Sequence, residues 1–265
     1  MTRAPGKIIY RDHWDSHLVE IIDDGDLRSL YFAGNVLQSS LYLSNPYRLQ
    51  LSYTRFMMAA LMFCNTPERI LMIGLGAGSM VHHIHHHFPQ CHIDAVDNSP
   101  RIIDIAQSYF CLPNRPPVNI HCRDGFEFLG QESRAPYDII FVDAFDKDGM
   151  SPTVYSHDFL HLCNASLAPS GLASLNIWSG DSDMMNSIKN GLSGHFSSVI
   201  ELPVPARGNI VCLASDFLPL EAIAELDDAT LNALTKRFGL NYKLIAKVWT
   251  KNNLGFRQRL ARFFA

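Results

Sequence analysis

The residues of this sequence that could do chemistry lie directly after short apolar segments. They are three glycines and four aspartates: Gly74, Gly76, Gly78, Asp97, Asp124, Asp143 and Asp146. Glycines that open a helix let the backbone approach a polar or anionic ligand. Carboxylates can accept hydrogen bonds from ribose hydroxyls or an adenine amino group, and they can hold or deprotonate an amine. Together these residues predict a nucleoside-type ligand next to a cationic amine.

The glycines lie between a predicted buried strand and a predicted helix. Residues 70–73 are apolar, too few for a helix, and predict a strand of a parallel sheet. The pattern is G-x-G-x-G, with Ser79 where a dinucleotide fingerprint has its third glycine. Enzymes that use NAD and enzymes that use S-adenosylmethionine (AdoMet) share this short form, and a glycine turn without a ligand is the structural alternative. Asp97, about 20 residues further on, favours a nucleoside-type ligand because a carboxylate there can take ribose hydroxyls.

From residue 69 onward, predicted strands alternate with predicted helices. The strands lie near residues 70–74, 92–97, 118–122, 137–142, 171–176, 198–202 and 209–214. The helices lie near residues 78–88, 99–109, 125–131, 155–167, 181–195 and 219–237. This alternation predicts an α/β fold, a Rossmann-like and mainly parallel sheet whose last strand is antiparallel. Ligands of such sheets bind beyond the carboxyl ends of the strands, where the glycines and aspartates lie.

The N-terminal part has a different pattern. Residues 7–43 contain short β-prone segments separated by turn-forming residues, which predicts a small antiparallel sheet of hairpins. A helix is predicted over residues 47–64. We therefore predict two domains, an N-terminal β-hairpin domain over residues 1–45 and a nucleoside-binding catalytic domain over residues 46–265. The basic, amphipathic tail at 251–264 predicts a docked helix rather than a membrane anchor.

Composition excludes several classes of function. The 265 residues carry a net charge of −4, which gives no electrostatic argument for binding nucleic acid. No apolar stretch reaches the length of a membrane span and no secretory leader is visible, so a soluble cytoplasmic protein is expected. The six cysteines form no C-x-x-C pair and are interpreted as small core residues in a reducing compartment.

Four segments together resemble the spermidine synthase (polyamine aminopropyltransferase) family: residues 70–79, 94–97, 123–125 and 137–146. The similarity extends to Gln38 and Tyr53 and covers roughly residues 8–215. It implies a small β domain before an AdoMet-type Rossmann-like domain, and a homodimer. It also implies decarboxylated AdoMet as the aminopropyl donor and a small diamine as the acceptor.

The resemblance also implies roles for single residues. Gln38 and the three glycines would lie near the donor, Asp97 would bind its ribose and Asp124 its adenine. Asp143 would orient or deprotonate the attacking amine, and Asp146 would hold the acceptor. Tyr53 is expected at the substrate site. Trp178, directly after an apolar strand, either lines the substrate site or only packs.

Departures from the family pattern leave the reaction open. The family has G-G-G-D-G-G, whose acidic residue contacts the donor amine, and this chain has Ala77 there. Lys147 replaces the proline of D-x-x-D-P, and the tyrosine of P-T-Y-P-S-G is missing from residues 203–208. An AdoMet-dependent methyltransferase is therefore the first alternative, and a non-catalytic protein that binds AdoMet or its by-product is the second. An NAD enzyme is disfavoured because the third glycine is missing.

Five histidines cluster on the predicted helix after the glycines: His82, His83, His85, His86 and His87. Pairs four residues apart on a helix can ligate a metal ion. No H-E-x-x-H pattern and no third ligand are evident, and the positions that flank Ile84 and Phe88 are expected to face solvent. The sequence therefore predicts no physiological metal site.

Overall fold

The computed structural model describes residues 6–14, 17–33, 36–131, 135–146, 149–218 and 222–253. Its first element is a four-stranded antiparallel sheet in the order β1-β2-β3-β4. The strands are β1 (Lys7–Trp14), β2 (His17–Asp24), β3 (Leu27–Phe32) and β4 (Val36–Tyr42). This sheet confirms the antiparallel hairpins expected from residues 7–43. The division into domains at residues 45 and 46 remains a prediction.

The central sheet has seven strands in the order β12-β13-β11-β8-β5-β6-β7. They are β5 (Arg69–Ile73), β6 (His92–Asp97), β7 (Val118–Cys122), β8 (Tyr137–Val142), β11 (Leu167–Trp178), β12 (Ser198–Pro203) and β13 (Asn209–Ser215). β13 is antiparallel to both of its neighbours, and β5 to β8 and β11 are parallel to one another. The predicted Rossmann-like fold, with an antiparallel strand at the end, is confirmed.

Helices cover both faces of this sheet. They are α1 (Ser52–Met57), α2 (Ser79–His87), α3 (Pro100–Tyr109), α4 (Gly125–Leu129), α5 (His157–Ala165), α6 (Ser182–His195), α7 (Asp228–Phe238) and α8 (Tyr242–Asn253). Two apolar layers result, one around Met72 and Phe141 and the other around Leu71 and Ile140. Neighbouring residues of β5 and β8 thus belong to opposite layers, because side chains alternate along a strand.

Several predicted boundaries are wrong. The helix expected over 47–64 is only α1 followed by a 3₁₀ turn (Met58–Met62), because residues 47–51 form a turn whose carbonyls at Leu49 and Gln50 accept hydrogen bonds from Arg55. The helix expected over 219–237 begins only at Asp228, where Asp227 caps it by accepting a hydrogen bond from the N–H of Thr230.

Other elements were not predicted from the sequence. A short hairpin, β9 (Phe145–Asp146) and β10 (Gly149–Met150), follows β8, and α8 packs against β12. The predicted tail helix at 251–264 lies outside the described residues beyond Asn253. No helix among the residues that the structure describes is long and apolar enough to cross a membrane.

The cysteine prediction is only partly right. Cys91, Cys163 and Cys212 are buried and Cys64 is half-buried. Cys111 and Cys122 are exposed, because each lies just past the end of an element or at its last residue rather than inside an apolar layer.

Candidate active site

The glycine loop after β5 lies against the segment after β8. Gly74, Gly76 and Gly78 all have positive φ angles, of 89°, 53° and 76°, a region that glycine enters without steric cost. A Cβ on Gly74 would lie 2.1 Å from the carbonyl oxygen of Asp143. Only a glycine therefore allows the two loops to approach this closely, and the crevice at the carboxyl ends of β5 and β8 depends on it.

Asp97 joins the glycine loop to the end of β6. One carboxylate oxygen accepts a hydrogen bond from the N–H of Leu75, and the other accepts one from the N–H of Ser99, both at 2.9 Å. Burial raises the pKa of Asp97, and these two N–H groups oppose the rise. The carboxylate is thus held in one orientation at the crevice, with further acceptor capacity for a ligand hydroxyl.

Asp124 caps α4 after β7. Its Oδ1 accepts hydrogen bonds from the N–H groups of Phe126 and Glu127 at 2.8 and 3.2 Å. The next residue, Gly125, is packed so closely on Ile73 that a Cβ would lie 2.5 Å from the Ile73 side chain. This packing brings the start of α4 against the end of β5, so Asp124 lies at the same edge of the sheet as the glycine loop.

Asp143 belongs to a hydrogen-bond network that joins four elements. Its Oδ1 accepts a hydrogen bond from the side-chain amide of Asn176 at 2.8 Å, and its carboxylate also accepts one from the hydroxyl of Tyr53. The amide oxygen of Asn176 accepts a hydrogen bond from Asn209 at 3.0 Å, and its backbone carbonyl accepts one from the hydroxyl of Tyr155 at 2.7 Å. The network fixes the orientation of the carboxylate.

The network also determines the charge properties of Asp143. Burial raises the pKa of Asp143, and the hydrogen bonds from Asn176 and Tyr53 lower it. The pKa of Tyr53 is raised well above its usual value by burial and by the negative charge of Asp143, so Tyr53 remains a hydrogen-bond donor. A half-buried carboxylate with a raised pKa and a fixed orientation is suited to accept a proton from an amine.

Gln38 is the additional residue of a β-bulge in β4. Leu30 pairs with Ser39 and Tyr31 pairs with Leu37, so Gln38 has no partner in the register. Bulges redirect side chains and are frequent next to functional sites. Ser39 lies beside the glycine loop, with its Oγ 3.5 Å from the position that a Cβ of Gly76 would take. The structure therefore places the Gln38 segment against the loop.

Ala77, which stands where the family has an acidic residue, is enclosed by apolar side chains. Ala77 is fully buried in a cluster that the N-terminal sheet supplies with Val19, Leu30 and Leu41 and that α3 supplies with Ile105. The N-terminal sheet thus forms one wall of the loop that carries the glycines.

Trp178 and Asp146 lie on the segments that follow β8 and β11. Trp178 ends β11, and 43% of its surface is exposed. Its backbone N–H donates a hydrogen bond to the sulfur of Met150 at 3.1 Å, which brings the β9–β10 hairpin to the end of β11. Asp146 lies in β9, where its backbone pairs with Gly149. Lys147 lies outside the described residues.

Three members of the Asp143 network were not predicted from the sequence: Tyr155, Asn176 and Asn209. Asn176 is a polar residue within the apolar strand at 172–177, and its side chain is almost completely buried. A buried amide needs hydrogen-bond partners, so a polar asparagine within an apolar strand was the one sequence feature that could have indicated this network.

The histidine cluster is not a solvent-facing surface, and that expectation was wrong. His83 is buried and its Nδ1 lies 2.8 Å from the carbonyl oxygen of Tyr47, while His86 stacks on the ring of Tyr47 at 3.5 Å. Of the five histidines only His86 is exposed, because the carbonyl of Phe110 contacts His82 and the ring of Phe238 packs on His87. Among the described residues, no three His, Cys, Asp or Glu side chains are grouped to hold a metal ion.

This fold and this crevice define a Rossmann-like α/β protein with its glycine loop and aspartates at the carboxyl ends of the strands, where such sheets bind their ligands. A family model described as the spermine/spermidine synthase domain matches residues 50–204. A polyamine aminopropyltransferase of Chromobacterium violaceum is 35% identical over 225 residues, 84% of this chain and 86% of that protein. The chain belongs to the spermine/spermidine synthase family.

More distant similarities agree on the fold. A probable spermidine synthase from Corynebacterium glutamicum has a TM-score of 0.72 at 21% identity, over 89% of this chain and 87% of that one. A spermidine synthase in complex with the transition-state analogue AdoDATO also has a TM-score of 0.72, at 17% identity over 91% of this chain and 84% of that one. The human eEF1A lysine and N-terminal methyltransferase is 33% identical over 141 residues, 49% of this chain and 20% of that protein.

Proposed function

We propose that this transferase moves an aminopropyl group from decarboxylated AdoMet to a small amine, as in polyamine biosynthesis. The observation that carries the proposal is the half-buried Asp143 carboxylate, which Asn176 and Tyr53 orient. The main chain of Asp143 also lies against the glycine loop at Gly74. The similarity to the Chromobacterium violaceum aminopropyltransferase supports the choice of reaction.

The proposed reaction needs positioning and one proton acceptor. The acceptor nitrogen attacks the donor's carbon next to the sulfonium, a C–N bond forms, and the C–S bond breaks with its electrons going to sulfur. Asp143 first takes a proton from the acceptor's ammonium group, so that the neutral nitrogen can attack, and the by-product is methylthioadenosine. A fixed carboxylate between donor and acceptor both orients the amine and takes this proton.

Other residues are assigned to binding. Asp97 would accept hydrogen bonds from the ribose hydroxyls and Asp124 from the adenine amino group. Gly76 and Gly78 would allow the donor to lie against the loop, with Gln38 beside it. Tyr53 and Asp146 would contact the acceptor. We also propose a cytoplasmic homodimer, and light scattering of the purified protein would test its oligomeric state.

Methyl transfer from AdoMet is the second candidate, and Ala77 is the observation that favours it. An apolar residue at this position supplies no negative charge for the amine of a decarboxylated donor. It would equally place no negative charge against the carboxylate of ordinary AdoMet, which an aspartate would repel. The similarity to the human eEF1A methyltransferase is consistent with this alternative.

Calorimetric titration with four ligands separates the candidates. Tighter binding of decarboxylated AdoMet and methylthioadenosine supports aminopropyl transfer, whereas tighter binding of AdoMet and S-adenosylhomocysteine supports methyl transfer. Binding without turnover of any amine would identify a non-catalytic binding protein. Absence of binding for all four ligands would refute the nucleoside site.

A further inference from the structure

Trp178 is exposed and yet held in place on two sides. A Cβ on Gly180 would lie 2.1 Å from the indole Nε1, and a Cβ on Gly208 would lie 2.5 Å from Cζ3 of the ring. Neither glycine has a positive φ. These two positions therefore need glycine for space, so that the indole can lie against the backbone on both sides. Immobilising a large ring while 43% of its surface stays in water suits a binding surface.

The indole lies on the same side of the sheet as the Asp143 network. β11 pairs regularly with β13 from Ala173 to Trp178, so Asn176 and Trp178 share one face. Two residues along a strand span about 7 Å. Since Asn176 donates its hydrogen bond to Asp143, a molecule held at Asp143 reaches the indole if it extends roughly this far toward the carboxyl end of β11.

The surroundings of the indole are apolar and aromatic. Phe145 is 37% exposed and pairs with Met150, whose sulfur accepts a hydrogen bond from the backbone N–H of Trp178 at 3.1 Å, so the hairpin lies beside the main chain that carries the indole. The face of an indole has negative potential and attracts ammonium groups within about 6 Å of its centre. It therefore offers a cation a contact that an aliphatic side chain of the same size does not.

We propose that the exposed indole of Trp178 binds the second, non-reacting ammonium group of a diamine acceptor while its first amine lies at Asp143. This inference rests on the proposed function and adds a residue that determines acceptor choice. The distance between Asn176 and Trp178 along β11 matches a diamine with a chain of about four carbons. The methylene groups of the same molecule would lie against Phe145.

The test compares two acceptors and two substitutions. The diamine is 1,4-diaminobutane and the monoamine is 1-aminopentane, which has a similar length but lacks the second charge. Trp178→Phe keeps an aromatic face, and Trp178→Leu keeps apolar surface without one. We expect Trp178→Leu to raise the KM for the diamine by about tenfold with kcat nearly unchanged, and Trp178→Phe to raise it by less than about threefold. The KM for the monoamine should change little in both variants.

A control and a binding measurement complete the experiment. Phe217→Leu removes another exposed aromatic ring, 40% exposed, at the opposite end of β13, and should change neither KM. Titration of tryptophan fluorescence with the diamine should give a signal that Trp178→Phe abolishes, and this readout does not depend on turnover.

The outcomes test the ammonium contact at Trp178 separately from the proposed function. Equal losses for both amines in Trp178→Leu would reduce the contact to an apolar one and overturn the inference. An unchanged KM for the diamine in that variant would overturn it as well. If the unmodified protein turns over no amine with either donor, the proposed function fails; diamine-dependent quenching at Trp178 would then still show that the binding site exists.

Discussion

The side-chain amide of Asn176 donates a hydrogen bond to Oδ1 of Asp143 at 2.8 Å, from β11 to the end of the neighbouring strand β8. Asn176 is itself held by Asn209 and Tyr155, so the orientation of one carboxylate depends on four elements of the chain. The arrangement links the chemistry of the site to the order of strands in the sheet.

The first prediction concerns Asp143 itself. Asp143→Asn keeps the shape of the side chain but removes the proton acceptor, so turnover should fall by about a hundred- to ten-thousand-fold. Donor affinity, measured by calorimetry, should stay nearly unchanged because the glycine loop and Asp97 remain. Turnover close to that of the unmodified protein would refute the role of Asp143 in either transferase mechanism.

Removal of Asn176 should shift the pH dependence of the reaction. The hydrogen bond from Asn176 lowers a pKa that burial raises, so Asn176→Leu should raise the pKa of Asp143 further. A general base works only when it is deprotonated, and the acidic limb of the kcat profile should therefore move to higher pH. Tyr53 and Tyr155 also face this carboxylate, and both pKa values are raised, so neither ionises in the range of the measurement.

Asn209→Ala provides the control for this prediction. It removes the partner of the Asn176 amide oxygen and leaves the direct bond to Asp143 in place. The acidic limb of the kcat profile of Asn209→Ala should shift less than that of Asn176→Leu. Equal activity losses in both variants with no shift of the limb would mean that Asn176 has only a structural role.

Gly74 should be intolerant of any side chain. In Gly74→Ala the new Cβ would lie 2.1 Å from the carbonyl oxygen of Asp143, at a φ of +89°. Gly25 is a matched control, because its φ is +60° and nothing lies within 4 Å of the position that its Cβ would take. Chemical denaturation should show a loss of about 1 kcal/mol for Gly25→Ala, from the positive φ alone, and roughly 3 kcal/mol or more for Gly74→Ala. Equal losses would show that the loops separate without cost.

Substitution of Ala77 should change the choice of donor. Ala77→Asp places a negative charge next to the glycine loop, and Ala77→Asn is the uncharged control of the same shape. Both should destabilise the protein because the position is fully buried. The ratio of the Kd for AdoMet to the Kd for decarboxylated AdoMet should rise at least about tenfold in Ala77→Asp relative to Ala77→Asn. A ratio that is the same in both variants would place the donor's amino end elsewhere.

His83 should make the protein less stable in mild acid. Burial lowers the pKa of His83 to about 4, whereas an unfolded histidine titrates near pH 6.5. Between these values the unfolded state binds the additional proton, so the free energy of unfolding falls as the pH is lowered. From about pH 7 to pH 5 the contribution of His83 is on the order of 2 kcal/mol.

Urea denaturation at the two pH values checks this expectation. His83→Leu should lose less stability on acidification than the unmodified protein does. His86→Gln replaces the exposed histidine of the same helix and should change the difference much less than His83→Leu does, because burial and not the charge of His86 is the main cause of the low pKa of His83. The same pH-dependent loss in all three proteins would show that His83 is not responsible.

Much of the fold could be predicted because the signals are local. Strands β5 to β8 are short apolar segments, each followed by a polar or glycine residue, and their carboxyl ends define the crevice in any parallel sheet. Asp97 and Asp143 could be placed there without knowledge of the strand order. Helix caps are local as well: Ser99 and Asp181 each accept a hydrogen bond from the helix that follows them.

The remaining features depend on contacts between distant parts of the chain. Asn176 faces Asp143 only because β11 lies next to β8, and no periodicity of a single segment reveals that neighbour. The bulge at Gln38 arises from a mismatch between two strands, and the burial of His83 depends on the turn at Tyr47. Helix α1 is short because Arg55 binds carbonyls of the preceding turn.

The wall that the N-terminal sheet forms against the glycine loop has a consequence for how this enzyme can diversify. Ala77 is buried in one apolar cluster with Val19 and Leu30, and Gly76 lies beside Ser39. The surroundings of the loop therefore come from two separate segments of the chain. A chimera that takes only the central sheet from a relative would pack that relative's glycine loop against the N-terminal sheet of this protein, whose side chains are not matched to it. Recombination that keeps both segments together therefore preserves the packing around the loop, whereas exchange of one segment alone disturbs it.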